Sequence, residues 1–306
     1  MVAALAAMLR PVPLRWVSLP GEALGWLLHA LHFRKQATLH HITQALGEQA
    51  PLATREAICR ASYLFFGGLI GEFLALPRIR PERMGDFITL ENPELFDEAL
   101  AEGKGVILVS GHLGNWELMG AALANRGLPL SMYVGAQKNL LVDERINALR
   151  RAHGTVTIGK GVAVRGLVKA LRGGRIVAML ADQHYSAKRH YVRFFGHPVS
   201  QAPGPASLSL RSGAPVVFGA CLREGRFRYR ARFHRVTLPR LSGNPEYDLL
   251  VLSQAFTAAL EDAIRTQPGQ YFWHHRRVRP IPPKVHLTGV NKAFLAGDPP
   301  PPKTGE

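Results

Sequence analysis

From residue 87 onward, short apolar runs alternate with segments of helical pattern. The run at residues 106–109 (Val-Ile-Leu-Val) is continuous, which is typical of a strand buried on both faces. The predicted strands are residues 87–90, 106–109, 130–134, 176–181 and 214–221, and the predicted helices between them begin near Asn92, Glu117, Val162 and Gly204. Strands that alternate with helices favour parallel pairing, because a crossover helix joins two parallel neighbours. We therefore predict an α/β fold with a mixed, largely parallel sheet flanked by helices.

Residues 226–233 follow a different pattern, because arginines alternate there with apolar residues. A period of two places four arginines on one face and Phe227, Tyr229, Ala231 and Phe233 on the other. This pattern predicts an antiparallel hairpin with one solvated face. The arginines would either guard an edge strand or face an anion.

The N-terminal region is rich in Leu, Ala and Trp, and Trp16 and Trp26 are residues that favour a membrane interface. We predict a membrane-associating helical segment at residues 1–45, although an amphipathic helix packed on the protein would show the same pattern. Its longest apolar stretch contains Arg15 and Glu22, so we predict no spanning helix. Residues 46–281 would form the main domain, and the proline-rich residues 282–306 a flexible tail.

The chain is strongly basic, with 38 Lys and Arg against 22 Asp and Glu and a formal net charge of +16. Such a chain is attracted to polyanions, which include nucleic acid, anionic lipid and acidic proteins. No helix-turn-helix, zinc-finger or RNP-type pattern is found, so we expect no nucleic acid partner. The two cysteines are far apart, and the histidines lack ligand spacing, so no metal is predicted.

The segment Gly111-His112-Leu113-Gly114-Asn115-Trp116-Glu117 follows the buried strand and opens a helix. Five residues of regular helix would turn through about 500°, so His112 and Glu117 could meet only if the segment bends. Gly111 and Gly114 supply that freedom. A carboxylate beside a histidine fixes its tautomer and supports the imidazolium, so that the ring can act as a general base. The alternative is a loop histidine and a carboxylate that stabilises a helix start.

This segment resembles the HxxxxD/E block of the glycerolipid and lipid A acyltransferases. The order His-Leu-Gly-Asn-Trp-Glu is similar to the late acyltransferase branch of lipid A biosynthesis, which contains the lauroyl and myristoyl transferases. The resemblance covers residues 35–280, and the further similar segments are residues 163–171, 180–183, 194–196, 204–206, 213–217 and 270–277.

The resemblance implies an acyltransferase domain at residues 46–281. It implies transfer of a fatty acyl chain from an acyl thioester, of acyl carrier protein or coenzyme A, to a hydroxyl of a lipid A precursor. No further cofactor is expected. The reaction would occur on a peripheral or monotopic protein at the cytoplasmic face of the inner membrane. His112 would remove the hydroxyl proton, Glu117 would orient His112, and backbone N–H groups from Gly114 to Trp116 would stabilise the oxyanion.

The resemblance also implies substrate-binding residues. Arg165 would bind an anionic group, unless it is an ordinary solvent-facing arginine. Asp182 would position Arg165 or line the pocket, or would be a structural residue at a strand end. Asn115 and Trp116 would shape the site.

Further basic residues are candidates for the same role. Arg150 is a weaker candidate for substrate binding. The segment His275-Arg276-Arg277 would reach a substrate phosphate, or would only flank the core residue Trp273.

Two alternatives remain open at this point. The acceptor could be another glycolipid, such as a phosphatidylinositol mannoside, or an aminolipid. In a different class, the chain could be a non-catalytic basic protein that binds a membrane or nucleic acid.

Overall fold

One mixed sheet organises the protein in a computed structural model that describes residues 6–135, 139–159, 163–185, 190–237 and 241–299. Within these residues the strands are β1 (Ile88–Glu91), β2 (Val106–Ser110), β3 (Leu130–Val134), β4 (Val156–Gly159), β5 (Ile176–Leu180), β6 (Tyr191–Phe194), β7 (His197–Ser200), β8 (Val216–Gly225) and β9 (Arg228–Arg235). The sheet has the order β1-β9-β8-β2-β5-β3-β4, and β6 and β7 form a separate antiparallel pair. The five strands from β8 to β4 are parallel, whereas β9 runs antiparallel to β8 and β1 runs parallel to β9. The predicted mixed, largely parallel α/β sheet is confirmed.

Helices cover both faces of the sheet. They are α1 (Leu19–Ala30), α2 (Lys35–Leu46), α3 (Leu52–Ala75), α4 (Glu94–Ala101), α5 (Trp116–Asn125), α6 (Leu140–Arg151), α7 (Ala163–Arg172), α8 (Gly204–Ser212), α9 (Pro245–Thr266) and α10 (Gly289–Ala296). Alternate side chains of β2 enter different cores, since Ile107 and Val109 pack with α8 and α9 while Val106 and Leu108 pack with α4 and α5. A strand buried on both faces explains the continuous apolar run in its sequence.

The predicted hairpin is confirmed, because β9 pairs antiparallel with β8 and buries Tyr229, Ala231 and Phe233. The prediction that it forms a sheet edge is wrong, since β1 covers β9 on its other side. Arg230 and Arg232 on the solvated face both pair with Glu91 of β1. Both arginines are therefore paired within the sheet, and neither Arg230 nor Arg232 is left free to bind an anion.

Glycines bring α1 and α3 into backbone contact. A Cβ atom at Gly67 would lie 2.1 Å from the carbonyl oxygen of Gly21, and one at Gly25 would lie 2.2 Å from that of Tyr63. A Cβ atom at Gly71 would lie equally close to the Val17 carbonyl oxygen, at 2.1 Å. Such close helix packing through residues spaced four apart is common where helices associate in membranes.

Large apolar side chains cover the outward side of this helix pair. Trp26, Leu31 and Phe33 are 55%, 68% and 58% exposed, and Ile70 of α3 is 57% exposed. The N-terminal segment therefore packs on the protein through one face and exposes apolar residues on the other. Residues 1–5 of this predicted segment lie outside the described residues, and α2 continues across its predicted end at residue 45.

The stretch Leu52–Arg78 is long and apolar enough to cross a membrane by length and composition alone. In its most apolar window 44% of the residues are buried inside the protein. The core helix of a globular fold passes the same test, so length and composition alone assign this stretch no spanning role.

The predicted flexible tail is wrong for residues 289–296, which form α10. Asn291 of this helix is fully buried, donates to the carbonyl oxygen of Tyr191 at 2.9 Å and accepts the N–H of Tyr191 at 3.1 Å. Thr288 caps the helix by accepting the Asn291 N–H. Residues 300–306, the remainder of the predicted tail, and Val162 of a predicted helix lie outside the described residues.

The contact between α1 and α3 gives a first prediction. Gly67→Ala places a methyl group against the Gly21 backbone, so we expect it to lower the free energy of unfolding by about 1–3 kcal/mol, the usual effect of overpacking. Gly85→Ala is the matched control, because a Cβ atom there meets nothing within 4 Å. Thermal unfolding followed by circular dichroism measures both, and equal unfolding temperatures for the two variants would contradict the backbone contact.

Candidate active site

His112 and Asp182 follow the ends of two neighbouring parallel strands. The register of β2 and β5 pairs Ser110 with Leu180, and the two functional residues come two positions later on each strand. Because carboxyl ends of parallel strands meet at one edge of a sheet, the two side chains are brought together there. Gly111 allows the approach, since a Cβ atom at this position would lie 3.3 Å from the Asp182 carboxyl carbon and 2.8 Å from Leu260.

Asp182 holds His112 at two points. One carboxylate oxygen lies 2.7 Å from the ring Nδ1, and the other accepts the His112 backbone N–H at 2.8 Å. Burial is the largest single influence on His112 and opposes its protonation, but the Asp182 charge, the hydrogen bond to Asp182 and the Glu117 charge together outweigh it, so the pKa of His112 is raised. Burial likewise opposes ionisation of Asp182, yet His112 lowers the pKa of that carboxyl to about 2. The pair therefore leaves the ring Nε2 available on the side away from Asp182.

Glu117 does not orient His112, so this part of the prediction is wrong. Its carboxylate accepts two hydrogen bonds from Arg150, at 2.6 and 3.0 Å, and a third from the Trp116 ring N–H at 3.2 Å. The physical reason is that Glu117 lies in the first turn of α5, where the fully charged guanidinium from α6 is a stronger partner than an imidazole. The Glu117 charge still raises the pKa of His112, although less than Asp182 does.

The bend that follows His112 is fixed by its neighbours. Gly114 has φ of +63°, and a Cβ atom there would lie 1.8 Å from the Cys221 carbonyl oxygen. Its N–H donates to the Gln270 carbonyl oxygen at 3.0 Å, and the Asn115 N–H donates to that of Cys221 at 2.8 Å. Two of the predicted oxyanion donors are therefore already bonded. Of the predicted set, the N–H of Trp116 at the start of α5 remains without an observed acceptor.

A cavity of about 550 Å³ opens beside this pair, a size within the usual range for ligand pockets. Polar residues form one part of it: His112, Glu117, Arg150 and Gln183. The rest lies between the sheet and α5 and is lined by Leu108, Met119, Gly120, Met132, Val134, Ala178, Met179 and Leu180. Trp116 also lines the cavity, and its ring centroid lies 4.9 Å from that of His112. The cavity lining therefore combines charged and apolar side chains.

The structure brings most predicted site residues together, and the two exceptions are Arg165 and Arg276. Asn115 is buried below the cavity and caps α5 by accepting the Leu118 N–H at 2.9 Å. Arg165 is exposed on α7, and Arg276 is exposed in the segment that follows α9. Neither residue lines the cavity around His112. The suggestion that Asp182 positions Arg165 is wrong, because the Asp182 oxygens are held by His112.

Gln183 was not predicted as a site residue, and Arg277 was predicted only as part of a segment that would reach a substrate phosphate. The Gln183 side-chain nitrogen lies 3.3 Å from His112 Nε2, and Arg277, which is 3% exposed, donates to the Gln183 carbonyl oxygen at 3.0 Å. Arg277 also lowers the pKa of Asp182 through its charge, after the larger effects of His112. The adjacency of Gln183 to Asp182 was visible in the sequence, whereas nothing in it distinguished buried Arg277 from exposed Arg276.

Sequence comparison finds similar proteins with named activities. The family of bacterial lipid A biosynthesis acyltransferases matches residues 1–280. The chain is 27% identical over 182 residues to a phosphatidylinositol mannoside acyltransferase of Mycobacterium tuberculosis strain H37Rv, which covers 58% of each chain. It is 26% identical over 207 residues to a lipid A biosynthesis acyltransferase of Haemophilus influenzae, covering 67% of this chain and 62% of the relative.

A longer match is found with the lipid A biosynthesis palmitoleoyltransferase of Escherichia coli K12, at 24% identity over 279 residues, covering 87% of this chain and 88% of the relative. Family and relatives are all acyltransferases, so the non-catalytic alternative is not supported. With a family match across residues 1–280, the chain belongs to the bacterial lipid A biosynthesis acyltransferases.

Proposed function

We propose that the protein moves a fatty acyl chain from an acyl thioester, of acyl carrier protein or coenzyme A, to a hydroxyl of a lipid A precursor. The observation that carries the proposal is the His112–Asp182 pair, whose ring Nε2 contacts the Gln183 side chain, beside a cavity lined by both polar and apolar residues. A base beside a cavity with a partly apolar lining suits a reaction between a hydroxyl and a long-chain acyl group.

In the proposed reaction, His112 Nε2 takes the proton of the acceptor hydroxyl as its oxygen attacks the thioester carbonyl carbon. The tetrahedral intermediate collapses, the C–S bond breaks, and the imidazolium returns the proton to the departing thiolate. Asp182 supports the imidazolium between these steps, because it is buried, ionised and bonded to Nδ1. No covalent acyl-enzyme is needed, and burial raises the pKa of both cysteine thiols.

Arg150 and Glu117 contribute a second charged pair at the cavity. Their side chains are 16% and 10% exposed, so the charges are only partly screened by water. We assign to this pair the placement of polar groups of the donor or acceptor. The Arg150 guanidinium matches the negative charge that a phosphorylated acceptor carries.

We also propose that the helix pair α1 and α3 rests on the cytoplasmic face of the inner membrane as a peripheral or monotopic anchor. Its exposed Trp, Leu and Phe side chains would enter the interface, while the net charge of +16 favours an anionic leaflet. The acceptor lipid lies in the same membrane, and both candidate donors are soluble carriers, so this location lets the two substrates meet at the cavity.

Kinetics of two variants test the proposed base and its partner. His112→Ala removes the base, and we expect kcat to fall by about 10²–10⁴-fold. Asp182→Asn removes the charge that supports the imidazolium and should lower kcat by about 10²-fold or more. The assay uses purified protein in detergent, acyl carrier protein donors and a lipid A precursor, with circular dichroism as the control for folding. Near wild-type rates for His112→Ala would refute the proposal.

The pH profile distinguishes Asp182 from Glu117. Only neutral His112 accepts a proton, and its pKa is raised, so kcat/KM of the wild type should fall as the pH drops through a value above the ordinary 6.5. Asp182→Asn removes the largest influence that raises this pKa, so its acidic limb should move to lower pH. Glu117→Gln is the comparison variant and should move the limb less. An equal or larger shift for Glu117→Gln would mean that Glu117 is the partner of His112 after all.

Vesicle binding tests the proposed membrane surface. Trp26→Ser combined with Leu31→Ser replaces two exposed apolar side chains of this surface, so co-sedimentation with phosphatidylethanolamine–phosphatidylglycerol vesicles should weaken at least about tenfold. Leu241→Ser is the matched control, since Leu241 is 58% exposed but lies outside the helix pair. Equal weakening by the control, or none by the double variant, would count against this surface.

A second acceptor is favoured by a specific observation, the 27% identity to a phosphatidylinositol mannoside acyltransferase. Mass spectrometry of lipids from a deletion strain separates the two candidates. Loss of one acyl chain from lipid A is the expected result. Unchanged lipid A together with an under-acylated glycolipid of another class would replace the first acceptor with the second.

A further inference from the structure

A buried carboxylate behind the site has no role in the proposed chemistry. Glu72 lies near the end of α3, and it is 1% exposed within an otherwise apolar stretch. A carboxylate in such a place is costly unless its oxygens are fully hydrogen-bonded. Burial raises the pKa of Glu72 despite the neighbouring Arg223. The cost of keeping this residue suggests a function that an apolar side chain could not perform.

The partners of Glu72 all donate. Arg223 donates to Oε1 at 2.7 Å, while the Tyr229 hydroxyl and the Asn115 side-chain amide both donate to Oε2, the amide at 3.2 Å. Only an acceptor-only group satisfies three donors at once, and the carboxylate is such a group. The partner that connects this cluster with the site is Asn115, which caps α5 next to Trp116 and Glu117.

Arg223 reaches the same segment by a second route. Its backbone N–H donates to the Gln270 side-chain oxygen at 2.8 Å, and its carbonyl oxygen accepts the Gln270 amide at 2.9 Å. The Gln270 carbonyl oxygen in turn accepts the Gly114 N–H at 3.0 Å. The two routes therefore hold consecutive residues, Gly114 through the backbone and Asn115 through its side chain.

We propose that Glu72 and Arg223 are positioning residues, which fix Asn115 and with it the first turn of α5 against His112. This inference rests on the proposed function. The turn carries Trp116, whose ring lies against His112, and Glu117, whose charge acts on it. Neither Glu72 nor Arg223 lines the cavity, so they act through Asn115 and not on substrate.

The alternative is that the ion pair merely joins α3 to the sheet. Buried pairs of this kind can often be replaced by apolar residues without loss of stability, whereas removal of one partner leaves a costly unpaired charge. A variant that loses both charges therefore separates the two roles. If the pair only joins elements, that variant is stable and active; if it positions α5, the variant is stable and slow.

The experiment uses Glu72→Met combined with Arg223→Met in a full chain that also carries Glu22→Gln, because Glu22 would otherwise lose its ion pair with Arg223. We expect an unfolding temperature close to that of the wild type, unchanged KM for the acyl donor, and kcat lower by about tenfold or more, because small displacements in a site are costly for rate. Glu22→Gln is the matched control. It removes the other ion pair of Arg223, at 3.1 Å, without touching Asn115, and should leave kcat within about twofold, as expected for a partly exposed pair.

Hydrogen exchange gives a readout that does not depend on activity. The Leu118 amide, which Asn115 caps, should exchange faster in the double Met variant and at the wild-type rate in Glu22→Gln. A stable double variant with wild-type kcat and wild-type exchange would overturn the inference. Absence of acyl transfer by the wild type itself would instead refute the proposed function, while exchange would still report whether Glu72 and Arg223 hold α5.

If the double Met variant does not fold, a double-mutant cycle between Glu72→Gln and Asn115→Ser tests the inference instead. Serine keeps the helix cap but lacks the amide that donates to Glu72. If Glu72 acts through Asn115, the two losses in kcat do not add in the combined variant. Additive losses would show that Glu72 acts by another route, and would overturn the inference.

Discussion

Asp182 accepts both the ring and the backbone N–H of His112, and this two-point contact determines how the rest of the site is arranged. It requires β2 and β5 to be neighbours in register, and Gly111 to leave room for the carboxylate. It also turns the ring so that Nε2 faces the cavity. Because Asp182 occupies the orienting position, Glu117 is free to pair with Arg150 on the opposite side, which separates two carboxylates that would otherwise repel each other.

The buried polar groups around His112 form two layers. Next to His112 lie Asp182 and, beyond it, the buried Arg277. In the second layer, Glu72 of α3 accepts the Asn115 side-chain amide on one oxygen and the Arg223 guanidinium of β8 on the other. In both layers each charge is met by an opposite charge and by hydrogen bonds, which is the condition for keeping ions away from water. The position of His112 is therefore set by residues that are distant from it in sequence.

The sequence predicted the sheet well, because alternation of apolar runs is a local signal, and strands such as β3 and the hairpin of β8 and β9 follow directly from it. It predicted which segments meet at the site, but not which side chains pair with each other there. Spacing suggested Glu117 as the partner of His112, whereas the partner, Asp182, is set by strand order, which no local pattern encodes. The same holds for Glu72, whose partners Asn115 and Arg223 are distant in sequence, and for Arg165, whose exposure depends on how α7 packs.

The glycines between α1 and α3 also have an electrostatic consequence. Ordinary helix pairs are separated by about 8–10 Å because side chains lie between them, and backbone contact brings the axes closer. Glu22 of α1 and Glu72 of α3 are thereby placed near enough for one guanidinium, that of Arg223, to neutralise both, at 3.1 and 2.7 Å. Wider spacing would leave one carboxylate without its counterion. The glycines between α1 and α3 thus determine that Glu22 and Glu72 share one counterion.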